Sequence, residues 1–427
     1  MPEQLEINQL IDHLFRHESG KMVAVLTRIF GTDNLGLAED VVQDSLIEAI
    51  RHWTYKGIPT NPSGWLFRVA KNKALNIVNR EKYKYRYTSE VVHLLQSEWT
   101  AEPAVNHFFS EKEILDDQLR MMFTCCHPSI SSDSQVALIL KTVCGFSIPE
   151  IARAFLTSDE NINKRLVRAR QKIRESKIPF EIPAGKTLKP RLQTVLETIY
   201  LLFNEGYSAS TGIDLIRFEV CEEAIRLAEI IAGHDAIGDK STVYALLALM
   251  QLNSSRFKAR QDTGGNILTL EQQNRSLWDL RLMEKGFINL ERSVSGSGIS
   301  IYHIMATISS YHCSARNYQS TDWASILELY NRLVEIDNSP VVRLNRSVAI
   351  AKVNGPGDAL KELETLQDLP SLKSYHLLHS VKAEFYIEMG LFAEAVQSLQ
   401  KAMKHAPMDA EQVFLEKKLK YCSEKIF

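Results

Sequence analysis

The stretch SQVALILKTVCGFSIPEIARAFLTSDENINKRLVRARQKIR, residues 134–174, decides how this chain of 427 residues is read. It parses as helix, turn at Gly145, short helix, turn, helix. Ile148, Ile151, Ala152 and Phe155 recur at three and four, so the short helix over 148–155 turns one side inward. Ser158 stands where it can cap the last helix. Asp159 and Glu160 fall in the first turn, where the positive end of the helix dipole favours acids. Ile162, Leu166, Ala169 and Ile173 form that helix's buried stripe, which leaves Asn161, Asn163, Lys164, Arg165 and Arg168 outside. Amides hydrogen-bond base edges and cations neutralise phosphates, so the pattern fits a helix-turn-helix with a basic recognition helix. An ordinary basic surface helix produces the same pattern, and this stretch alone does not separate the two.

A second basic block lies upstream in NPSGWLFRVAKNKALNIVNREKYKYR, residues 61–86. Pro62 and Ser63 are helix-start residues, and Leu66, Val69, Ala70, Ala74 and Ile77 point inward. Arg68, Asn72, Asn76 and Arg80 recur every four residues on the opposite side, with Lys71, Lys73 and Asn79 beside them. Trp65 and the tyrosines 83, 85 and 87 offer flat faces for stacking unpaired bases, so the surface suits melted DNA. Trp65 fits a core position at the helix start equally well. Before this block comes AEDVVQDSLIEAIRHW, residues 38–53. Here Val42, Leu46, Ala49, Ile50 and Trp53 form an apolar stripe, and Glu39, Asp40, Gln43 and Asp44 lie on another face.

Charge is segregated along the chain behind a net value of −2. Residues 1–50 carry three bases and nine acids, and residues 51–87 nine bases and one acid. Residues 88–117 carry one base and seven acids, and residues 161–177 seven bases and one acid. Two basic helices are thus separated by an acidic segment, more than one solvated face requires. Apolar residues make up 45% and charged residues 24%, as in an ordinary soluble globular protein of two or three domains. No run is long and apolar enough to span a bilayer, and the start MPEQLEINQLIDHLF lacks the plan of a signal peptide. The six cysteines form no C-x-x-C pair, and adjacent helical residues such as Cys125, Cys126 and His127 converge poorly on one metal. Buried thiols in a cytoplasmic protein are expected, with no metal or other cofactor.

The periodicity predicts an all-α chain. Its expected parts are a first helical unit over 1–87, an acidic linker over 88–115, the helix-turn-helix unit over 116–177, and helical hairpins over 186–427. The segment KIPFEIPAGKTLKPRL, with three prolines and a glycine, marks the last boundary. Near the end, Ala383 and Tyr386, then Gly390, Ala395, Leu399, Ala402 and Pro407, follow tetratricopeptide spacing. Ala359 stands 36 residues before Ala395, near the 34-residue period.

Taken in this order and spacing, AEDVVQDSLIEAIRHW, NPSGWLFRVAKNKALNIV and EIARAF with RLVRARQKIR resemble an extracytoplasmic-function sigma factor. The segments YLLFNEGYSAS, QNRSLWD, TDWASILELY and SPVVRLNRSVAIA resemble the subgroup with a tetratricopeptide-like extension, which carries the resemblance over nearly the whole chain. The resemblance implies a sigma-two domain, a flexible linker and a sigma-four domain. It implies that Glu39, Asp40, Gln43 and Asp44 dock on core RNA polymerase. Trp65, Arg68, Asn72, Lys73, Asn76 and Arg80 would then meet the minus-ten element, and Asn161, Asn163, Lys164, Arg165 and Arg168 the minus-thirty-five element of promoter DNA. Most relatives carry Thr-Val-Lys-Ser ahead of the Arg-Leu pair where this chain has Asn161-Ile162-Asn163-Lys164, so their promoter sequence does not transfer. The hairpins would bind a protein or peptide and regulate activity.

Two other readings compete. A repeat-containing helix-turn-helix regulator acting without polymerase accounts for the recognition helix and the tail but not for residues 38–53 and 61–86. An enzyme over 186–330 would draw on Asn204, Glu205, Gly206, Tyr207, Asp262, Glu271, Arg275, Trp278 and Asp279. Their spacing demands no nucleophile, acid–base pair or metal, so no catalytic residue is assigned.

Overall fold

The computed structural model describes residue 14 and residues 18–80, 108–154, 157–207, 217–262, 264–296, 298–366, 375–406 and 409–426. Phe155, Pro407, the tyrosines 83, 85 and 87 and most of the acidic segment lie outside these. Among the described residues every regular element is a helix, and the extended pairing is an isolated bridge between Gln261 and Ile267. The chain is all-α. It forms two compact units, Met1–Leu202 with Gly233–Ala236, and Phe203–Ala232 with Ile237–Phe427.

The first unit holds α1 (18–30), α2 (Leu35–Lys56), α3 (Pro62–Arg80), α4 (Glu111–Cys125), α5 (Ser132–Thr142), α6 (Ile148–Ala154) and α7 (Asp159–Glu175). It also holds α8 (Leu188–Tyr207) as far as Leu202. In α2 the buried line runs through Ala38, Val42, Ser45, Ala49 and Trp53, steps of three and four that keep one face inward. Ile50, expected on that stripe, is 37% exposed, because it lies at the stripe's edge and Ser45 occupies the inward place instead. Gly57 ends the helix at φ 79, a left-handed turn that glycine adopts without a Cβ clash. Asn61, rather than Ser63, starts α3, its side-chain oxygen accepting the Gly64 N–H at 2.8 Å. Leu66, Ala70, Ala74 and Val78 then pack inward at every fourth position.

The first two helices and the helix-turn-helix unit pack directly on one another. A β-carbon on Gly20 of α1 would stand 1.9 Å from the Val143 carbonyl oxygen just past α5, so the two backbones approach as only glycine permits. Arg28 bonds Glu113, stands 3.6 Å from Asp117 of α4 and covers the Phe108 ring at 4.3 Å. Thr32 donates to the Ile178 carbonyl at 3.1 Å. Arg170 of α7 donates to Glu39 of α2 at 2.6 Å. The first turns of α8 join this unit too. Thr198 donates to Gln135 at 3.3 Å, and Arg191 bonds the Phe123 carbonyl. The break near residue 185 is a short 3-10 turn, Gly185–Thr187, and the chain beyond it still packs on α4 and α5 as far as Leu202.

The second unit comprises α9 (Phe218–Gly233), α10 (Ser241–Ser254), α11 (Leu280–Ser293), α12 (Ile301–Ser314), α13 (Trp323–Ile336), α14 (Pro340–Asn354), α15 (Pro356–Glu364), α16 (His376–Glu388), α17 (Phe392–His405) and α18 (Asp409–Ile426). α10 is buried nearly all round, and Gly286 of α11 lies so near that a β-carbon would meet Leu252 at 2.7 Å. Farther on, Ala383, Ala395 and Ala402 are fully buried with Leu399 and Leu415 where α16, α17 and α18 pack. Gly390 turns the chain between the first two of these helices at φ 75.

Gly20→Ala is expected to destabilise the first unit by about 1–3 kcal/mol, because backbone rather than a flexible side-chain end must move. Gly36→Ala, at a helical position with nothing within 4 Å, is expected to be neutral or to stabilise by about 0.4–1 kcal/mol. Urea midpoints of the two variants check the contrast.

Candidate nucleic-acid interface

Ser158 caps α7, accepting the Asn161 N–H at 3.2 Å, and Ile162, Leu166, Ala169 and Ile173 are buried. This fixes the helix's rotation and turns Asn161, Asn163, Lys164 and Arg168 into solvent. Asn163 donates to the Asp159 carbonyl at 3.0 Å, Asn161 donates to Thr157 at 3.0 Å, and Lys164 pairs with Glu160 at 2.7 Å. These exposed local bonds are weak and exchange readily for a nucleic-acid partner. Arg165 is half-buried and reaches Asp133 at 3.5 Å. A cleft of about 350 Å³ opens between α7 and the start of α5, lined in part by Ser131, Asp133, Arg165, Arg168 and Lys172. Three cations beside a helix N-terminus suit a phosphate oxygen, with Asp133 setting how closely it approaches.

On α3, Arg68, Asn72, Asn76 and Arg80 are all exposed and form one outward line. Lys73 is half-buried and pairs with Glu48 at 2.9 Å. Trp65 divides between its two expected roles. It packs edge-on against the fully buried Trp53 at 5.5 Å and beside His52 at 5.2 Å, yet it is only half-buried. One face thus serves the core and the rest is open to a stacking partner.

The acidic face of α2 is split. Asp40, Gln43 and Asp44 are exposed. Glu39, one position nearer the buried stripe, is turned inward onto Arg170. Burial raises the pKa of Glu39, opposed by Arg170 and Lys141. Arg170 is the site residue that the sequence reading passed over. Its signal was its place beside the inward Ala169, on the flank of α7's buried stripe.

The six cysteines are buried. Burial pushes the Cys126 thiol up to about 12, and the His127 ring accepts the Ser129 N–H at 3.2 Å. In the second unit two acids of the enzyme reading, Asp262 and Asp279, are spent locally. Asp262 accepts the Gly264 and Asn266 N–H groups at 2.9 Å, and Asp279 caps α11 by accepting from Arg281 and Leu282.

Where α4 meets α1, Asp117 is fully buried, and burial raises its pKa to about 7 against the pull of Arg28 and Arg120. Its ordinary value is 3.8, so the folded state holds the proton more tightly. That contribution to stability is complete below pH 3.8 and is lost as pH rises through about 7. Asp117→Asn is expected to remove it. The urea midpoint of the variant relative to the unaltered chain should therefore rise between pH 4 and pH 7, and a flat difference would contradict the assignment.

Comparison with known proteins places these elements among relatives. Residues 14–83 match Sigma-70 region 2, residues 120–173 match Sigma-70, region 4, and residues 191–294 match a family of unknown function, DUF6596. The chain is 33% identical over 386 residues to the uncharacterised protein R00370 of Rhizobium meliloti (strain 1021), covering 90% of each. No solved structure matches the chain.

Proposed function

Because this chain belongs to the sigma-70 family, whose members act in transcription initiation, we propose that it binds core RNA polymerase through α2 and reads promoter DNA through α3 and α7. The observation that carries this reading is the pair of matched regions in their family order, each presenting an exposed polar line on a helix whose other side is core. Asp40, Gln43 and Asp44 form the polymerase contact, and Glu39 joins them only when Arg170 lets go. Arg68, Asn72, Asn76 and Arg80, with the open part of Trp65 and Lys73, take the minus-ten strand. Asn161, Asn163, Lys164, Arg165 and Arg168 take the minus-thirty-five duplex. The regulator reading that dispenses with polymerase has no use for the region-2 match. The protein works in the cytoplasm as an extracytoplasmic-function type of sigma factor. No helix among the described residues is long and apolar enough to cross a membrane.

The packed first unit is the resting form. Two promoter elements about 25 base pairs apart span roughly 85 Å of duplex at about 3.4 Å per step. A compact body of about 200 residues is only about 43 Å across. Reading both elements therefore requires α2 and α7 to part, and the Glu39–Arg170 pair is the bond that parting breaks. Regulation by the tetratricopeptide-like hairpins, through a bound protein or peptide, acts on this equilibrium. α8 carries it, since its first turns are held by Gln135 and Phe123.

In vitro transcription with core polymerase and this chain alone tests the function. Promoter-specific transcripts are expected, and their absence with a folded chain would remove the sigma reading. Replacing Asp40 and Asp44 by Lys should abolish co-elution with core polymerase while the helical circular-dichroism signal stays. Arg168→Ala should weaken duplex binding and lower its salt slope by about one unit. Asn72→Ala and Asn76→Ala should instead impair strand opening, read by permanganate footprinting. Arg170→Gln, which breaks the pair and leaves the polymerase-facing acids in place, should speed open-complex formation without weakening core binding, and an unchanged rate would count against a latched resting form.

A further inference from the structure

Three guanidinium groups in the second unit gather around two aromatic rings, with no acid among them in the described residues. Arg256 follows α10, and its Nη2 donates to the Tyr207 hydroxyl at 2.6 Å. Arg260 bonds the Tyr207 carbonyl and lies over the Tyr207 ring at 4.1 Å. Arg275 donates to the carbonyls of His312 at 2.7 Å and Ala315 at 2.8 Å, and lies over the Trp278 ring at 4.5 Å. Arg256 stands 5.9 Å from the same ring. Among the described residues their hydrogen bonds go to the Tyr207 hydroxyl and to backbone carbonyls, and no Asp or Glu pairs with any of the three.

Several polar atoms of the arrangement are unmatched, the ring nitrogen Nδ1 of His312 among them. Arg256 Nε, Arg275 Nη2 and Trp278 Nε1 are buried without a hydrogen-bond partner. Each of these atoms only donates. Burial, with Arg256 and Arg275 beside it, lowers the His312 pKa to about 3, so the ring stays neutral and adds no further positive charge. Burial and the Arg256 charge both work against the ionised form of Arg260 and Arg275. Half-buried cations with no carboxylate partner among the described residues, ringed by unmet donors, are unfavourable unless something negative joins them. Arg256, Arg260 and Arg275 are each half-buried, not fully enclosed. Guanidinium forks match the paired oxygens of carboxylate and phosphate.

We propose that Arg256, Arg260 and Arg275, with Trp278 and Tyr207, form a binding site for a small oxyanion, the phosphate or carboxylate group of a diffusible ligand. Residues 191–294, the segment matching a family of unknown function, contain all five. The nearby acids Asp262 and Asp279 are committed to their own loops, which leaves the cluster's charge for a ligand. The site stands apart from the DNA and polymerase reading and is testable without either partner.

Isothermal titration of the full chain with inorganic phosphate, and separately with citrate, reads it directly. The buffer contains neither anion, and ionic strength is held with sodium chloride. Saturable binding near one per chain by at least one probe is expected. Phosphate alone identifies a phosphate ligand, citrate alone a carboxylate ligand, and either supports the site. Arg275→Gln and Arg256→Lys, the latter keeping the charge but losing the fork, should each weaken binding roughly tenfold or more. Lys258→Ala, at an exposed position outside the cluster, should not. If the arginine variants fail to fold, the unaltered chain still decides, since its melting temperature should rise more with phosphate or citrate than with chloride at equal ionic strength. Heats and melting shifts no larger than those of chloride, or binding that survives both arginine variants, would overturn the proposal.

Discussion

A missing β-carbon governs the packing of the first unit. With hydrogen alone at Gly20, the backbone of α1 rests against the Val143 carbonyl at the end of α5, a separation at which any side chain would collide. That approach brings Arg28 onto the acids of α4 and sets Glu39 opposite Arg170. The polar contacts depend on the steric one, because ion pairs of this kind gain little unless their geometry is held by surrounding packing.

The two regions expected to move separately on a linker are therefore one body here, and the bonds joining them are of a kind that can be exchanged. Arg170–Glu39 and Arg28–Asp117 place charge in poorly solvated positions, where the raised pKa values of Glu39 and Asp117 record an incomplete balance. Such junctions hold a resting arrangement without making it permanent. The outward lines on α3 and α7 are built differently, from exposed side chains with few and local bonds, so little must be broken before nucleic acid is engaged.

The second unit shows the same physics with opposite sign. Asp262, Asn274 and Asp279 satisfy backbone amides at turns and helix starts, as short polar side chains do, and this commits them to local bonds instead of to the arginines. What is left is a positive cluster lined by aromatic rings and unmet donors. A reading for catalysis drew on polar residues of this region, Arg275 among them, whereas the tertiary structure gives the arginines hydroxyl and carbonyl partners and, among the described residues, no carboxylate.

Much of this was legible in the residues. The cap at Ser158 and the stripe Ile162, Leu166, Ala169 and Ile173 follow from local periodicity, and so does the outward line Arg68, Asn72, Asn76 and Arg80. Helix rotation is set by which residues within a few turns are apolar, and that information is contiguous in sequence. Asp40, Gln43 and Asp44 share an exposed face for the same reason. The neighbouring Glu39 could not be told from them, since its inward partner lies 131 residues away. The closeness of α1 to Val143, the capture of α8's first turns, the divided role of Trp65 and the convergence of Arg256, Arg260 and Arg275 likewise join residues distant in the chain. Such contacts leave no periodic trace. They arise only when helices pack, because packing decides which buried charge finds a partner and which does not.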